Sequence, residues 1–377
     1  MTHVLQVIQQ GQLRGAEVFA LDLSRALIQR GWRASVLSMA DVDAAYAAAA
    51  AQAGVPLHVA SARPRMPGLD ARVVWRLREA IGAGGRQVVQ ANGAGTLKHL
   101  VAARQLGRGR WPLVYRAIGM GSFWRKGWVK AAVYRWLFNQ ADLVIAVCQA
   151  VARDLVEVSR IDPHKVTVVP NGVEPARLQA GPGDRDLVRA TLGVGETDCL
   201  LVTVGSLTAE KNPEGLVELV AACRGQGLPV RGAIVGEGPL RAGLHAAIRR
   251  RGVQDAVSLV QPSLGLGSYL AAADVYVLPS HSEGMPAAVI EAGLAGVPAV
   301  AYDVGGLSEI VEDGTTGLLV SPGDVAGLVR AAAMLVRDPA RRLTMGQAAR
   351  RQYRRFRIGM VARSYQEAYE QLLARAG

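Results

Sequence analysis

The sequence predicts an α/β protein made of two doubly wound, parallel-sheet domains, and three features carry that expectation. Over the first 170 residues, short β-rich runs alternate with longer Ala-, Leu- and Arg-rich stretches of helical period. A break rich in Gly, Pro and Asp follows at "VVPNGVEPARLQAGPGDRD", and the alternation then begins again. A length of 377 residues, half of them hydrophobic, gives each of two domains enough apolar surface for its own core. Strands alternating with helices read as βαβ units, in which each helix returns the chain so that the next strand runs parallel to the last.

Taken in order, "HVLQVIQ" is the first expected strand and "AEVFALDLSRALIQRG" the helix that follows. "RASVLS" is the second strand. The Ala-rich "DAAYAAAAAQAG" reads as a plain helix, too short and too weakly hydrophobic to cross a bilayer. "QVVQAN", "LVYRAI", "LVIAV" and "VTVVPNG" are further strands, with "VVWRLREAIGAG" and "AVARDLVEVSR" among the intervening helices. Past the break, "CLLVTVGSL", "VRGAIVGEG", "AVSLVQP", "DVYVLPS" and "PAVAYDVGG" are the expected strands. The domain limits are then 1–170 and 199–355, with a linker over 171–198. Parallel sheets place ligand sites at the C-terminal ends of their strands, so a cleft between the two domains is the default site.

Composition removes several function classes. Cys148, Cys199 and Cys223 are odd in number and lack metal-ligand spacing, which suits buried thiols in a reducing, cytoplasmic setting. The N-terminus has no basic region leading into an apolar one, so no secretory leader is expected, and no apolar run is long enough to span a bilayer. "QQGQLRGAE" stands where a dinucleotide-binding G-x-G-x-x-G would open the first βα turn, which sets a dinucleotide oxidoreductase aside. "DVD" at Asp41 to Asp43 and "DRD" at Asp184 to Asp186 read as chance matches to an acidic metal motif.

The charge is unevenly placed. Residues 1–170 hold 22 Lys or Arg against 10 Asp or Glu, a balance of +12, whereas residues 171–377 hold 21 of each. From Ala80 to Ala141 there are ten bases and no acid. Such asymmetry suits an anionic partner for the first domain. "GSFWRKGWVKAAVYRWLFNQ" gathers three of the six tryptophans with Arg125, Lys126, Lys130 and Arg135, a pairing suited to a membrane interface. It suits equally an aromatic face packed on the sheet with a solvated basic edge. No nucleic-acid-binding motif of a named class is present, and "RRQYRRFR" reads as a solvated face.

The segment "SHSEGMPAAVIEAGLAGVP" puts Glu283 and Glu291 eight residues apart on what reads as one helix, Glu283 at its mouth and Glu291 about two turns in. A helix N-terminus attracts anions such as a diphosphate, and a carboxylate beside it accepts hydrogen bonds from sugar hydroxyls. The wider run "DVYVLPSHSEGMPAAVIEAGLAGVPAVAYDVGGLSEIVEDGTTGLLVSPGD" resembles the signature of glycosyltransferase family 4, retaining nucleotide-sugar enzymes of GT-B fold, including its E-x7-E motif. "GAE" (Gly15 to Glu17), "PNGV" (Pro170 to Val173), "GSLTAEKN" (Gly205 to Asn212) and "VGEGPLR" (Val235 to Arg241) extend the resemblance along the chain.

That resemblance implies two Rossmann-like domains facing across a deep cleft, a closing helix over 356–377 returning toward the N-terminal domain, and a metal-independent hexosyltransferase with no cofactor beyond its nucleotide-diphosphate sugar. It implies that Glu291 binds ribose hydroxyls, that Glu283 contacts the donor sugar, and that amides from Gly284, Met285, Pro286 and Ala287 to Ala288 surround the diphosphate. Lys211 would neutralise the leaving diphosphate, with Lys211 and Glu283 as the catalytic pair. Gly15, Gly205, Ser206, Gly236, Val260 and Gln261 complete the donor set. Ser206 stands where the family commonly has Arg, and Ile118 where it commonly has His. Asn92, Arg116, Trp124, Arg125, Lys126, Trp128 and Lys130 are expected to face the acceptor, a lipid-linked or cell-envelope glycan precursor, or the inner face of the cell membrane. A non-catalytic sugar-nucleotide-binding module and a transferase acting on a small soluble acceptor remain alternatives.

Overall fold

A computed structural model of the chain describes residues 2–61, 68–82, 87–107, 111–120, 127–261 and 265–376. The chain divides into two units, Met1–Val173 with Ile358–Gly377, and Glu174–Arg357. Among the described residues, the first holds strands β1 His3–Ile8, β2 Arg33–Ser38, β3 Leu57–Val59, β4 Gln87–Asn92, β5 Leu113–Ala117, β6 Leu143–Ala146 and β7 Val166–Val168. They form one parallel sheet in the order β3-β2-β1-β4-β5-β6-β7. The second holds β8 Cys199–Val204, β9 Val230–Val235, β10 Val257–Val260, β11 Val275–Leu278, β12 Ala299–Tyr302 and β13 Gly317–Val320, all parallel, in the order β10-β9-β8-β11-β12-β13.

The expected pair of doubly wound α/β domains is therefore present. Helices cover parallel sheets on both faces, so the central strands β4, β5 and β6 are buried along their whole length. Two strands were not anticipated. β3 is three residues long at a sheet edge and largely exposed, so it carries no apolar pattern, and β13 lies within a Gly- and Thr-rich stretch.

The stretch expected as a linker over 171–198 is partly helical, and from Glu174 onward it falls in the second unit. Asp184–Thr191 is a helix, and Arg189 on it donates to the Ala272, Gly195 and Asp198 carbonyls and to Asp274 Oδ2. The Pro- and Gly-rich composition reflects its turns, not a lack of structure. The last helix, Ile358–Ala376, packs in the first unit, where Ile358, Val361, Tyr365, Tyr369 and Leu372 join Val4, Phe19, Leu23 and Val114 in one core. The chain leaves that unit at Val173 and re-enters at Ile358, whose N–H donates to the Val173 carbonyl at 2.8 Å.

Both units use the same device to start a strand. Asp142, just before β6, accepts from the Leu113 N–H at 2.9 Å and pairs with Arg104. Asp274, just before β11, accepts from the Leu200 N–H at 2.8 Å and pairs with Arg189 at 2.9 Å. Each carboxylate ties the bottom of one strand to its neighbour through a charge-assisted bond. Asp274→Ala removes that tie and leaves Arg189 with carbonyl acceptors but no carboxylate, and a loss of about 2 kcal/mol is expected. Urea unfolding of the variant measures it, and a change below about 0.5 kcal/mol contradicts the assignment.

Candidate active site

The strand order of the second unit reverses between β8 and β11, so the loops after these two neighbours diverge and leave room at the C-terminal edge of the sheet. Those loops carry Lys211 and Glu283. Lys211 Nζ donates to both carboxylate oxygens of Glu283 at 2.7 Å. The Glu283 side chain is 5% exposed and that of Lys211 34%, so the acid is sunk in the protein while the cation keeps an open side. A carboxylate removed from water needs such a partner, because an unpaired buried charge is costly.

The pair is held by backbone contacts between its two loops. Asn212 adopts a left-handed conformation (φ 47°), one that Asn tolerates better than most residues, and its side-chain amide donates to the Pro279 carbonyl at 3.0 Å. The His281 N–H donates to the Glu210 carbonyl at 2.8 Å. Burial raises the pKa of the Glu210 carboxyl, with Lys211 opposing and Glu283 reinforcing the shift. From the far side, the loop after β12 closes on Glu283. A Cβ on Gly305 (φ +60°) would lie 1.9 Å from the Glu283 carbonyl oxygen, and the Gly306 N–H donates to the Gly284 carbonyl at 2.7 Å. Only a glycine fits there.

Helix Ala287–Ala295 begins directly after this loop, with Pro286 in the capping position and no side chain capping its first amides. Those amides make the helix mouth electropositive. The two acids do not share one helix as expected. Glu283 precedes the helix by four residues, and Glu291 lies little more than one turn in, because the chain from Gly284 to Pro286 is not helical. Glu291 is buried, with Arg177 Nη2 3.5 Å from its Oε1. Burial raises its pKa, and Arg177 works against that rise. Arg177 lies on the short turn Pro175–Leu178, which is seated against Gly267, where a Cβ would lie 2.6 Å from the Leu178 carbonyl carbon. Sequence reading missed Arg177; its place beside Glu291 comes from packing between segments more than a hundred residues apart.

The other expected donor residues fall around the same edge. Gly205 and Ser206 are exposed just after β8, Val260 is part-buried and Gln261 exposed after β10, and Gly284, Met285 and Pro286 are buried beneath the helix mouth with Ala287 partly open. Gly236 and Gly238 serve close packing. Cβ atoms there would lie 1.9 Å from the Gly205 carbonyl oxygen and 2.6 Å from the Leu207 backbone. Pro262, which follows Gln261 in the same loop, lies outside the described residues. In the first unit, Gly15 opens helix Gly15–Gln29, exposed and with free space where a Cβ would go.

Asn92 and Arg116, expected to face an acceptor, are buried instead. Asn92 donates to Gln6 Oε1 at 2.9 Å, in a network completed by Gln90 and the Tyr369 hydroxyl. Arg116 is 1% exposed, stacks 3.7 Å from the Phe19 ring centre and donates to Asn171 of "PNGV"; burial lowers its pKa. These polar side chains join the sheet to the last helix and to the chain crossing. Trp128 and Lys130 are exposed on helix Trp128–Asn139, while Trp124, Arg125 and Lys126 lie outside the described residues. Both D-x-D stretches have structural work. Asp43 caps helix Ala44–Gln52 through the Tyr46 N–H, Asp41 accepts from Gln10, and Asp184 accepts from Ser268 and from the Gly181 N–H.

The Arg177–Glu291 pair has a pH signature. The unfolded chain releases the Glu291 proton in the ordinary carboxylate range, while the folded chain holds it to higher pH, so this group lowers stability as pH rises between the two values. Arg177→Gln pushes the folded value higher still. The variant is expected to lose about 1–2 kcal/mol more stability at pH 8 than at pH 5, less than a fully buried pair because the Arg side chain is 36% exposed. Urea unfolding at the two pH values is the measurement, and equal losses at both contradict the pairing.

Comparison with known proteins places the chain in a family and a fold. The family model "Glycosyltransferase Family 4" matches residues 13–177, and "Glycosyl transferases group 1" matches residues 184–352. A D-inositol 3-phosphate glycosyltransferase of Nocardia farcinica is 34% identical over 256 residues, 64% of this chain and 56% of the relative. A 2-deoxystreptamine glucosyltransferase of Streptomyces kanamyceticus is 32% identical over 212 residues, 55% of each. The matches thus span little more than half the length of these relatives. Among solved structures, HepE of Anabaena in complex with UDP-glucose superposes with a TM-score of 0.87 at 24% identity, over 98% of this chain and 100% of that one. Sucrose-phosphate synthase from Thermosynechococcus elongatus gives 0.83 at 20% identity, over all of both chains. With two family models lying end to end over most of its length and a matching fold, the chain belongs to glycosyltransferase family 4, of the GT-B class.

Proposed function

We propose that this protein is a retaining glycosyltransferase that moves a hexosyl group from a nucleotide-diphosphate sugar to an acceptor, without a metal ion. One observation carries the reading: a half-open lysine, held by a buried glutamate, stands beside an uncapped helix mouth at the switch point of a parallel sheet. When the glycosidic bond to the diphosphate breaks, positive charge spreads over the sugar ring and negative charge collects on the departing phosphate. Lys211 and the first amides of helix Ala287–Ala295 meet that negative charge with donors already in place, the role a divalent cation fills elsewhere. Glu283 contacts the donor sugar from the same loop, and Glu291 accepts from the ribose hydroxyls. Retention follows if the leaving phosphate oxygen accepts the acceptor's proton on the face from which the new bond forms. That route needs no protein base, which fits Ile118 at the family's histidine position.

The acceptor in this reading is lipid-linked or a cell-envelope glycan precursor, met by the basic N-terminal unit at an anionic membrane surface. The charge balance of +12 over residues 1–170 supports it. A second reading, a small soluble acceptor, is favoured by the relatives named for 2-deoxystreptamine and D-inositol 3-phosphate. It places the same transfer chemistry in solution.

Purified protein offered a panel of nucleotide sugars in the presence of EDTA is expected to release one nucleoside diphosphate, and the anomeric proton coupling of the product should match that of the donor. Lys211→Ala is expected to lower turnover about 10²–10³-fold and Glu291→Ala about 10–100-fold. An inverted product sinks the retaining mechanism, activity abolished by EDTA sinks metal independence, and silence across the panel with binding retained leaves a sugar-nucleotide-binding module.

A further inference from the structure

Helix Ala287–Ala295 carries Glu291 into the protein, and the surroundings of that carboxylate are unusual in one respect. Its side chain is only 10% exposed, yet among the described residues no amide or hydroxyl donates a hydrogen bond to it, and Arg177 Nη2, 3.5 Å from Oε1, meets it as an ion pair. A buried carboxylate ordinarily spends its acceptor sites on donors of its own chain, as Glu283 does on Lys211 at 2.7 Å. The other elements packed on the helix bring polar groups that are engaged elsewhere. Tyr276 of β11 donates to the Val204 carbonyl, Tyr269 of helix Leu266–Ala272 to the Gln261 carbonyl, and Tyr353 of the turn Tyr353–Phe356 to Thr316. Burial raises the pKa of Tyr276, of Tyr353 and of Tyr302 on β12, so these three carry no charge at neutral pH. Arg350 of helix Pro339–Gln352 lies past the far end of the helix, where its Cδ would be 3.8 Å from a Cβ on Gly296. Among the described residues, Arg177 is the cation beside Glu291.

We infer that Arg177 is a positioning residue for the donor: it keeps Glu291 a carboxylate, whose two oxygens accept the 2′- and 3′-hydroxyls of a ribonucleoside diphosphate. This role rests on the proposed ribose contact of Glu291 and adds the group that keeps that contact competent. Burial by itself favours the protonated acid, and Arg177 opposes it. The difference matters to a diol. A carboxylate only accepts and can take a hydroxyl on each oxygen, whereas the protonated acid presents an O–H of its own and accepts more weakly. The geometry suits the task. At 3.5 Å the guanidinium lends its charge without occupying both oxygens as a short bidentate pair would, so they stay open to hydroxyls. The Arg177 side chain is 36% exposed and keeps part of its hydration while it offsets the cost of the buried charge. Its turn, Pro175–Leu178, is fixed before any ligand arrives, capped by Glu174, which accepts from the Ala176 N–H at 3.1 Å, and seated closely on Gly267.

The test is calorimetric binding of UDP, GDP and ADP to the full chain, the tightest of the three then being compared with its 2′,3′-dideoxy counterpart at pH 6, 7.5 and 9. The ratio of the two affinities cancels the titration of the nucleotide's own phosphate. In the wild type the ribonucleotide is expected to bind about tenfold tighter or more at pH 7.5. Without Arg177 the Glu291 proton is held to higher pH, so in Arg177→Gln, or in Arg177→Met should the first not fold, the ratio should drop about fivefold below wild type at pH 6 and recover to within about twofold by pH 9. Arg177→Lys restores a cation and should bring the pH 6 ratio back toward the wild-type value. Glu291→Gln cannot ionise and should hold the ratio low at every pH. If Arg177→Gln weakens both nucleotides equally at every pH, or leaves the pH 6 ratio at the wild-type value, Arg177 serves packing alone and the proposal is overturned. A wild type that binds the ribo and dideoxy forms alike, or none of the three nucleotides, rejects the ribose contact itself and this role with it. A preference abolished in Glu291→Gln but untouched in Arg177→Gln rejects the role of Arg177 alone.

Discussion

The bidentate ion pair between Lys211 and Glu283 is the interaction around which the second unit arranges its loops. Neither partner suits its position alone. A glutamate so nearly excluded from water requires a cation, and a lysine on a four-carbon stem requires something to fix its ammonium group. The structure meets both needs by tying the two loops together with backbone contacts: Asn212 to Pro279, His281 to Glu210, and Gly305 and Gly306 to Glu283 and Gly284. The result is a cation set in advance beside an uncapped helix mouth. Donors already aimed at a developing charge need little reorganisation when it appears. Glu291 repeats the design a little over a turn into the helix, with Arg177 as its cation.

Much of this was legible in the sequence, for physical reasons that differ between elements. All but the edge strands β3 and β13 announced themselves, because a parallel sheet buried on both faces needs unbroken apolar runs such as "LVIAV" and "CLLVTV". Lys211, Glu283 and Glu291 were singled out by the resemblance of their stretches to family motifs, and the structure brings Lys211 against Glu283 and sets Arg177 beside Glu291. Motif spacing is silent on what approaches from elsewhere in the chain. Arg177 meets Glu291 through tertiary packing, and Gly305 meets Glu283 only because β12 lies next to β11. Asn92 and Arg116 failed as surface expectations for a related reason. Polar residues at a strand end look available to a ligand until the last helix, distant in sequence, covers them with Tyr365 and Tyr369.

The two units divide their labour by charge. The second is balanced overall and sets two paired acids and a helix mouth at the C-terminal edge of its sheet. The first carries the basic excess, buries one cation, Arg116, in its core, and displays others beside an apolar helix face. The buried arginine is costly and has a structural return: it reaches Asn171 at the point where the chain leaves the unit, close to where Ile358 brings it back.

The most direct test of the account is a double-mutant cycle on Lys211 and Glu283, read by calorimetric binding of a nucleoside diphosphate to the wild type, Lys211→Met, Glu283→Gln and the double variant. If the pair acts as one prepared cation, the effect of Glu283→Gln depends on whether Lys211 is present, with a coupling of about 1 kcal/mol or more. If the two substitutions add independently, within about 0.3–0.5 kcal/mol, the pair is not the device that prepares the site, and the central claim fails.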